Sequence, residues 1–197
     1  MSILKSGQKL VNIMENDPQY FIKHFQDINI DKLQEFKHRT FNIFDLQLFI
    51  NRLQIIYKKY DSLEELFYPH FKNNNNSYYP IIHFRNEFLG EYADTRTKKH
   101  VANPQNGSAS KRLNMFLRWM VRKDRKGVDF GIWHKIDPAK LSCPLDIHSG
   151  NGAREFGLIN RKFNDWKAVE ELDANLRKLD AKDPVKYDFA LFGWSIN

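Results

Sequence analysis

The amino-acid sequence predicts an all-α protein of about eight to ten short helices, arranged in two lobes. Apolar residues recur at helical spacing along most of the chain, and no extended segment alternates apolar with polar residues as a half-buried strand would. Asp17 before Pro18, and Asp183 before Pro184, have the pattern of an N-cap followed by proline at the first helical position. We expect one domain over residues 1–197, with a helical lobe at 1–92 and a basic hairpin with the second lobe at 93–197.

The composition excludes several classes of protein. Hydrophobic residues make up 42% of the 197 residues, which is enough for a sizeable core, but no apolar run is long enough to span a membrane. The single cysteine, Cys143, excludes an intramolecular disulfide framework and a cysteine-rich metal site. We therefore expect a cytoplasmic monomer that uses no metal and no organic cofactor.

Positive charge is concentrated in one segment, residues 96–126. This segment holds ten basic residues and one acid, Asp124, for a net charge of +9, whereas the whole chain carries +7. Such clustering is typical of a polyanion-binding surface, and a solvated face that maintains solubility is the alternative. The basic residues are Arg96, Lys98, Lys99, Lys111, Arg112, Arg118, Arg122, Lys123, Arg125 and Lys126.

Within this segment, NPQNGSASKRLNMFLRWMVR predicts a glycine-bearing turn that leads into an amphipathic helix. The free backbone amides and the dipole of such a helix start favour an anion, so a DNA phosphate would fit there. Arg118 and Arg122 are one helical turn apart and would extend a phosphate rail, although a solvated face is equally compatible with them. The predicted phosphate-binding residues are Asn106, Gly107, Ser108, Ser110, Arg112, Arg118 and Arg122.

Further along, PLDIHSGNGAREFGL predicts a helix capped by Asp146 and ended by Gly157. An aspartate N-cap stabilises a helix by about 1 kcal/mol and needs no further function. Gly150 and Gly152 are poor helix formers, so their presence indicates the close approach of another backbone, from the protein or from a ligand.

The phrases around Lys111 and Asp146 resemble those of the helix-hairpin-helix superfamily of base-excision DNA glycosylases. Leu-Asp-Ile-His followed by Ala-Arg-Glu-Phe-Gly-Leu is similar to that superfamily's Val-Asp-Thr-His phrase, in which the aspartate faces a flipped-out nucleotide. Asn-Gly-Ser-Ala-Ser-Lys-Arg-Leu-Asn is similar to its hairpin, with Lys111 and Asn114 at matching places. The hairpin lacks the superfamily's second glycine, Ile147 replaces the usual threonine, and the 35 residues from Lys111 to Asp146 exceed the usual interval.

A closer resemblance, over essentially the whole chain, is to a bacterial family known as domain of unknown function 2400. The phrases that carry it are KRLNMFLRWMVR, DFGIW and DPVKYDFALFG. Members of that family are expected to have further helices before the point where this sequence begins. The resemblance therefore predicts a chain that is shortened at its N-terminus and lacks part of the first lobe.

The glycosylase resemblance implies a helix-hairpin-helix glycosylase fold, damaged double-stranded DNA as the partner, and excision of a lesion with AP-lyase chemistry. Lys111 would form a Schiff base with the sugar, and Asp146 would assist. Asn114, Trp133 and His148 would line the base pocket, although Trp133 is equally compatible with a place in the core. The alternative is a non-catalytic helical nucleic-acid-binding protein that keeps this fold.

The C-terminal phrase DPVKYDFALFGW has two interpretations. Tyr187 and Asp188 have the chemistry to line a pocket. A capped terminal helix that packs Phe189 and Phe192 against the core explains the same residues without any ligand, and we favour that interpretation from the sequence.

Overall fold

The computed structural model describes residues 2–25, 33–34, 36–91 and 95–196. Within them the chain forms ten α-helices and isolated β-bridges but no strand, which confirms the all-α prediction. None of these described helices has the length and apolar character needed to cross a bilayer. The helices are α1 (Ser2–Ile13), α2 (Pro18–Lys23), α3 (Ile43–Lys59), α4 (Leu63–Lys72), α5 (Tyr78–Leu89), α6 (Thr95–Lys98), α7 (Lys111–Val121), α8 (Ile147–Glu155), α9 (Trp166–Leu179) and α10 (Asp188–Ile196).

The chain divides into two compact units, and the division differs from the predicted lobes. The first unit comprises residues 1–63 and 86–101, and the second comprises 64–85 and 102–197. The predicted lobe boundary at 92/93 lies outside the described residues. Residues 64–85 belong to the second unit because their polar groups bond to its later segments: the Lys135 amide donates to Glu64 at 2.6 Å, and the Ser77 hydroxyl bonds to Asn114.

The first unit is built around an apolar cluster and a buried carboxylate. Asp45 begins α3 in a capping box with Asn42, and it also accepts hydrogen bonds from Arg96 and Thr97, both at 2.8 Å. The hydrogen bonds hold the pKa of Asp45 below its ordinary value, although burial acts in the opposite direction. The apolar cluster consists of Met14, Phe21, Phe25, Leu33, Phe36, Leu46 and Ile50.

The two aspartate–proline signals in the sequence have different outcomes in the structure. The Asp17 side chain accepts a hydrogen bond from the Tyr20 amide at 2.9 Å, and Pro18 is the first residue of α2, as predicted. Asp183 is different: a short 3-10 turn, Pro184–Tyr187, follows it without a side-chain cap, and α10 begins only at Asp188.

Helices α8 and α10 of the second unit pack closely, and Gly152 makes this possible. A Cβ atom at Gly152 would lie 2.4 Å from the Leu191 carbonyl oxygen, a distance that no side chain tolerates. This confirms the prediction that another backbone approaches α8 at a glycine. At Gly150 the near neighbour is the Asn164 side chain, at 2.6 Å from the corresponding position. The approach of Gly152 to Leu191 holds the first turn of α10 against the middle of α8.

Candidate active site

The turn that leads into α7 is held by its own backbone and by the start of α9. A 3-10 turn, Pro104–Asn106, ends at Gly107, whose φ of +82° lies in the left-handed region that glycine adopts readily. The Gly107 carbonyl accepts a hydrogen bond from the Trp166 amide at 3.0 Å. Ser110 precedes α7 and has a φ of +49°, which is not helical, so Lys111 is the first helical residue. The Ser110 side chain does not cap the helix.

Asp146 is the N-cap of α8, as predicted, and its two carboxylate oxygens have different partners. Oδ1 accepts a hydrogen bond from the Ser149 amide at 2.9 Å, while the Ser149 hydroxyl accepts one from the Asp146 amide, which completes a capping box. Asn164 donates to the Asp146 carbonyl at 2.8 Å and ties the segment to the start of α9. Oδ2 is not needed for the cap and points to Lys111.

Lys111 and Asp146 form an ion pair in which Lys111 Nζ lies 2.5 Å from Asp146 Oδ2. The lysine side chain is 39% exposed and that of the aspartate 19%, so the pair is accessible from solvent. Burial acts to raise the pKa of Asp146, but the hydrogen bonds from Lys111 and from the Ser149 amide outweigh it and hold the pKa below its ordinary value. One carboxylate therefore caps a helix and also binds an amine.

A cavity of about 180 Å³ opens at this pair. Its ionisable lining residues are Lys111, Asp146 and Asp188, and Asp188 is the first residue of α10 and is 5% exposed. Phe189 and Phe192 supply aromatic lining, and the remaining lining residues are Met115, Pro144 and Ser149. Burial raises the pKa of Asp188 to about 6, although Arg118 acts in the opposite direction.

Arg118 does not belong to a phosphate rail, and this predicted role is corrected. Its side chain is 1% exposed, and its guanidinium donates to Asp188 and, at 3.2 and 3.3 Å, to Asp129 Oδ2. The same guanidinium lies 4.1 Å from the centre of the Phe189 ring. Two buried carboxylates and an aromatic face enclose the charge, so it is not available to DNA at the surface.

Arg122 is likewise neutralised. Its guanidinium donates to Asp183 at 2.9 Å and to Asp129 at 2.5 Å, and its side chain is 15% exposed. The hydrogen bonds and charges of Asp183 and Asp129 outweigh burial and raise the pKa of Arg122 above its ordinary value. Arg122 therefore helps to compensate Asp129, and the predicted role in phosphate binding is not compatible with this arrangement.

Two predicted base-pocket residues lie in the core. Asn114 is 1% exposed, accepts a hydrogen bond from the Ser77 hydroxyl and donates to the Ala109 carbonyl at 3.1 Å. Trp133 is 8% exposed and packs against Phe67 and Phe116. Neither lines the cavity, so the core interpretation that the sequence left open for Trp133 is the one observed.

Among the other predicted site residues, one is buried and the rest are exposed or half-buried. Ser110 is 2% exposed and its hydroxyl donates to the Ser108 carbonyl at 3.4 Å, so its side chain serves the turn rather than a phosphate. His148 is exposed, and its ring meets Phe192 edge-on at 5.4 Å. Asn106, Gly107 and Arg112 are exposed and Ser108 is half-buried, so their roles in phosphate binding stay predictions.

The start of α10 contributes to the cavity, which the interpretation favoured from the sequence did not predict. The favoured interpretation packs Phe189 and Phe192 against the core, whereas both line the cavity and Phe189 is 50% exposed. Asp188, which the other interpretation places in a pocket, lines the cavity with them. Their spacing was the available signal, since residues i and i+4 share a helix face. Helical periodicity alone could not show that this face of α10 meets a cavity.

The fold and this arrangement define an all-helical protein in which an amine–carboxylate pair opens onto a small cavity with partly aromatic walls. A family model described as protein of unknown function (DUF2400) matches residues 1–197, and the chain belongs to that family. Comparisons with the curated proteins and with the solved structures find no match.

Proposed function

We propose that the protein binds DNA and is a lesion-directed DNA glycosylase with AP-lyase chemistry, built on a fold related to the helix-hairpin-helix glycosylases. The observation that carries the proposal is the 2.5 Å contact between Lys111 Nζ and Asp146 Oδ2 at the mouth of a cavity. These two residues come from sequence phrases that resemble those of the glycosylases. A nucleophile within hydrogen-bonding reach of a group that can take its proton, in a cleft, is the arrangement that covalent catalysis uses.

The proposed chemistry uses the pair directly. Asp146 accepts a proton from the Lys111 ammonium, and the nitrogen lone pair then forms a bond to the sugar C1′. The bond from C1′ to the base breaks, and the departing base takes the proton that Asp146 now holds. One proton of the new C1′-bound ammonium passes to O4′ as the C1′–O4′ bond breaks, which gives a protonated Schiff base. The Asp146 carboxylate then takes the C2′ proton, and the electron pair expels the 3′ phosphate. The carboxylate also stabilises the positive charge that develops at C1′.

DNA binding is supported by the cations that the fold leaves exposed. Arg112 lies in the first turn of α7, and Lys123, Arg125 and Lys126 lie on the loop after its last turn. An 11-residue helix is about 16 Å long, so the two groups would meet phosphates well separated along a duplex. We propose Asn106, Gly107, Ser108 and Arg112 as phosphate contacts and His148 as a residue at the edge of the base pocket.

Borohydride trapping tests the proposal. The protein is incubated with duplexes that contain an abasic site or an oxidised base and is reduced, and the covalent complex is measured. Wild-type protein should give a trapped band that Lys111→Gln abolishes. Lys178→Gln is the matched control, because it removes the same charge from an exposed lysine of α9 that is not a proposed DNA contact, and it should leave trapping intact.

The alternative, a non-catalytic nucleic-acid-binding protein, is favoured by the same exposed cations. It predicts salt-sensitive binding to DNA with no trapped band on any substrate, and equal binding by wild type and Lys111→Gln. A trapped band that survives in Lys111→Gln would contradict the assignment of the nucleophile instead.

A further inference from the structure

The cavity contains a carboxylate oxygen that the structure leaves open. Asp188 is 5% exposed, and its Oδ2 accepts a hydrogen bond from Arg118. Its Oδ1 has no hydrogen-bonding partner among the described residues, although Asp188 lines the cavity. This oxygen is not one of the fully buried, unpartnered polar atoms of the described residues, so it keeps surface that a ligand in the cavity can reach. An acceptor in this position is therefore well placed for a ligand that donates a hydrogen bond.

Arg118 fixes the direction of this acceptor. A guanidinium only donates hydrogen bonds, so the oxygen that faces it must be an acceptor and the opposite oxygen faces away from it. Arg118 is itself held by Asp129 and by the face of the Phe189 ring, 4.1 Å from the guanidinium carbon. One buried arginine thus positions both a polar and an aromatic group of the cavity.

The size and lining of the cavity restrict the ligand. At about 180 Å³ the cavity is smaller than the roughly 300–1,000 Å³ of sites for drug-sized molecules. It holds a single ring system better than a whole nucleotide. Phe189 and Phe192 offer aromatic surface, and the Lys111–Asp146 pair lies at the same cavity, where a sugar C1′ would need to be.

We propose that Asp188 is the residue that recognises the extruded base, its open Oδ1 accepting a hydrogen bond from an N–H group on the edge of the base. Phe189 and Phe192 contact the ring, and Arg118 is a positioning residue. The substrate class is a base that presents an N–H donor, such as an exocyclic amine, on that edge; a base with only acceptors there is rejected. This inference rests on the proposed function, because it assumes an extruded base.

Two probe bases that differ by one amino group test the proposal. Duplexes carry 2-aminopurine or unsubstituted purine as a single-base bulge, which has no pairing partner and is the easiest base to extrude. Dissociation constants are measured for both duplexes and for an unbulged duplex. Wild-type protein should bind the 2-aminopurine duplex about tenfold more tightly than the purine duplex, as expected for a hydrogen bond to a charged acceptor.

Asp188→Asn should abolish or reverse this preference. Because Arg118 only donates, it keeps the amide oxygen on its own side and turns the amide NH₂ towards the cavity, so that an acceptor is replaced by a donor. Asp183→Asn is the matched control: Asp183 is also bound to an arginine, Arg122, but does not line the cavity, and its variant should keep the wild-type ratio.

The outcomes separate this inference from the proposed function. Equal affinity of wild type for both probes, with trapping intact, overturns the role of Asp188 and leaves the lyase proposal standing. Failure to prefer either bulge over the unbulged duplex, together with no trapping, overturns both. Thermal unfolding shows whether Asp188→Asn is folded. If it is not, the ratio of the two dissociation constants of wild type still tests the role of Asp188.

Discussion

The two ends of helix α7 are similar in sequence and opposite in structure. At its start, Lys111 is 39% exposed and has one carboxylate partner, Asp146, at the mouth of a cavity. At its end, Arg118 and Arg122 are enclosed by Asp129, Asp183 and Asp188. The first end has the accessibility that a chemical or binding role requires. The second end is a buried charge network, and of its members only Asp188 lines the cavity.

The contrast between the two ends shows that the surface charge of a basic segment depends on its tertiary partners. The net charge of +9 over residues 96–126 suggests one continuous cationic surface, but acids from outside the segment neutralise part of it. Arg96 is bound to Asp45, and the arginines at the end of α7 are bound to acids that follow the segment. Charge density in the sequence therefore overestimates the charge that the surface offers to DNA.

The largest effect should follow from removing the buried charge. Arg118→Met keeps much of the side-chain volume but leaves Asp188 without an arginine and Asp129 with Arg122 alone. Removing one partner of a buried pair costs about 3–5 kcal/mol, so we expect a loss of that order in the free energy of unfolding from urea titrations. Lys111→Met, at the exposed end of the helix, should cost less than about 1 kcal/mol. Equal losses in the two variants would contradict the comparison.

The pH dependence of stability should also separate the two ends. The pKa of Asp188 is raised to about 6, so the folded state binds its proton more readily than the unfolded state does. Its contribution is present below pH 4 and is lost as the pH rises through about 6. Relative to Asp188→Asn, the wild type should lose roughly 3 kcal/mol between pH 4 and pH 8, at about 1.4 kcal/mol for each pKa unit.

The charged groups that act on Asp188 are Arg118, Lys111 and Asp146. Of these, Asp146 should show the opposite dependence of stability on pH. The pKa of Asp146 is lowered, so its contribution is present above pH 4 and is lost as the pH falls through its lowered pKa. With rising pH through the acid range, the free energy of unfolding of wild type should therefore increase relative to that of Asp146→Asn. Relative to that of Asp188→Asn it should decrease. A common direction for both variants would show that the two carboxylates share one environment.

Smaller effects distinguish the two roles of Asp146. Asp146→Ala removes the cap of α8 and should cost about 1 kcal/mol in the free energy of unfolding. Asp146→Asn keeps a good N-cap residue and should cost little, yet it removes the carboxylate that binds Lys111. We expect both variants to lose trapping on abasic DNA. Retained trapping in Asp146→Asn would assign Asp146 to capping alone.

What the sequence could predict was local. The caps at Asp17 and Asp146 and the amphipathic pattern of α7 involve residues within one or two helical turns of each other, so spacing alone reveals them. The glycine at position 152 predicted a close backbone contact, because a helix tolerates glycine poorly. The pairing of Lys111 with Asp146 was suggested by the resemblance to glycosylases and not by any local pattern.

What the sequence could not predict depended on distant partners. Arg118 meets a carboxylate 70 residues away, and Arg122 meets one 61 residues away. Both arginines have the spacing of a phosphate rail, and only the tertiary packing reveals that acids already neutralise them. Phe189 and Phe192 show the reverse case, since an apolar helix face was assigned to the core and instead lines a cavity.

The smallest expected effect concerns the salt dependence of DNA binding. The slope of log Kd against log salt falls by about 0.9 for each phosphate contact that is lost. Arg112→Gln removes an exposed cation at the start of α7 and should lower the slope by about one. Arg122→Gln, at the neutralised end, should leave the slope unchanged, because Asp183 and Asp129 already hold that guanidinium.

Both variants are first compared with wild type by circular dichroism, since Arg122 is half-buried and its loss affects stability. A lower slope in Arg122→Gln, with its fold intact, would mean that DNA displaces Asp183 and Asp129 from the arginine. Such a displacement would free Arg122 for a phosphate and restore the role that its two ion pairs argue against. An unchanged slope instead means that Arg122 serves the buried charge network alone, and that DNA is held by the exposed cations at the helix start and on the loop after it.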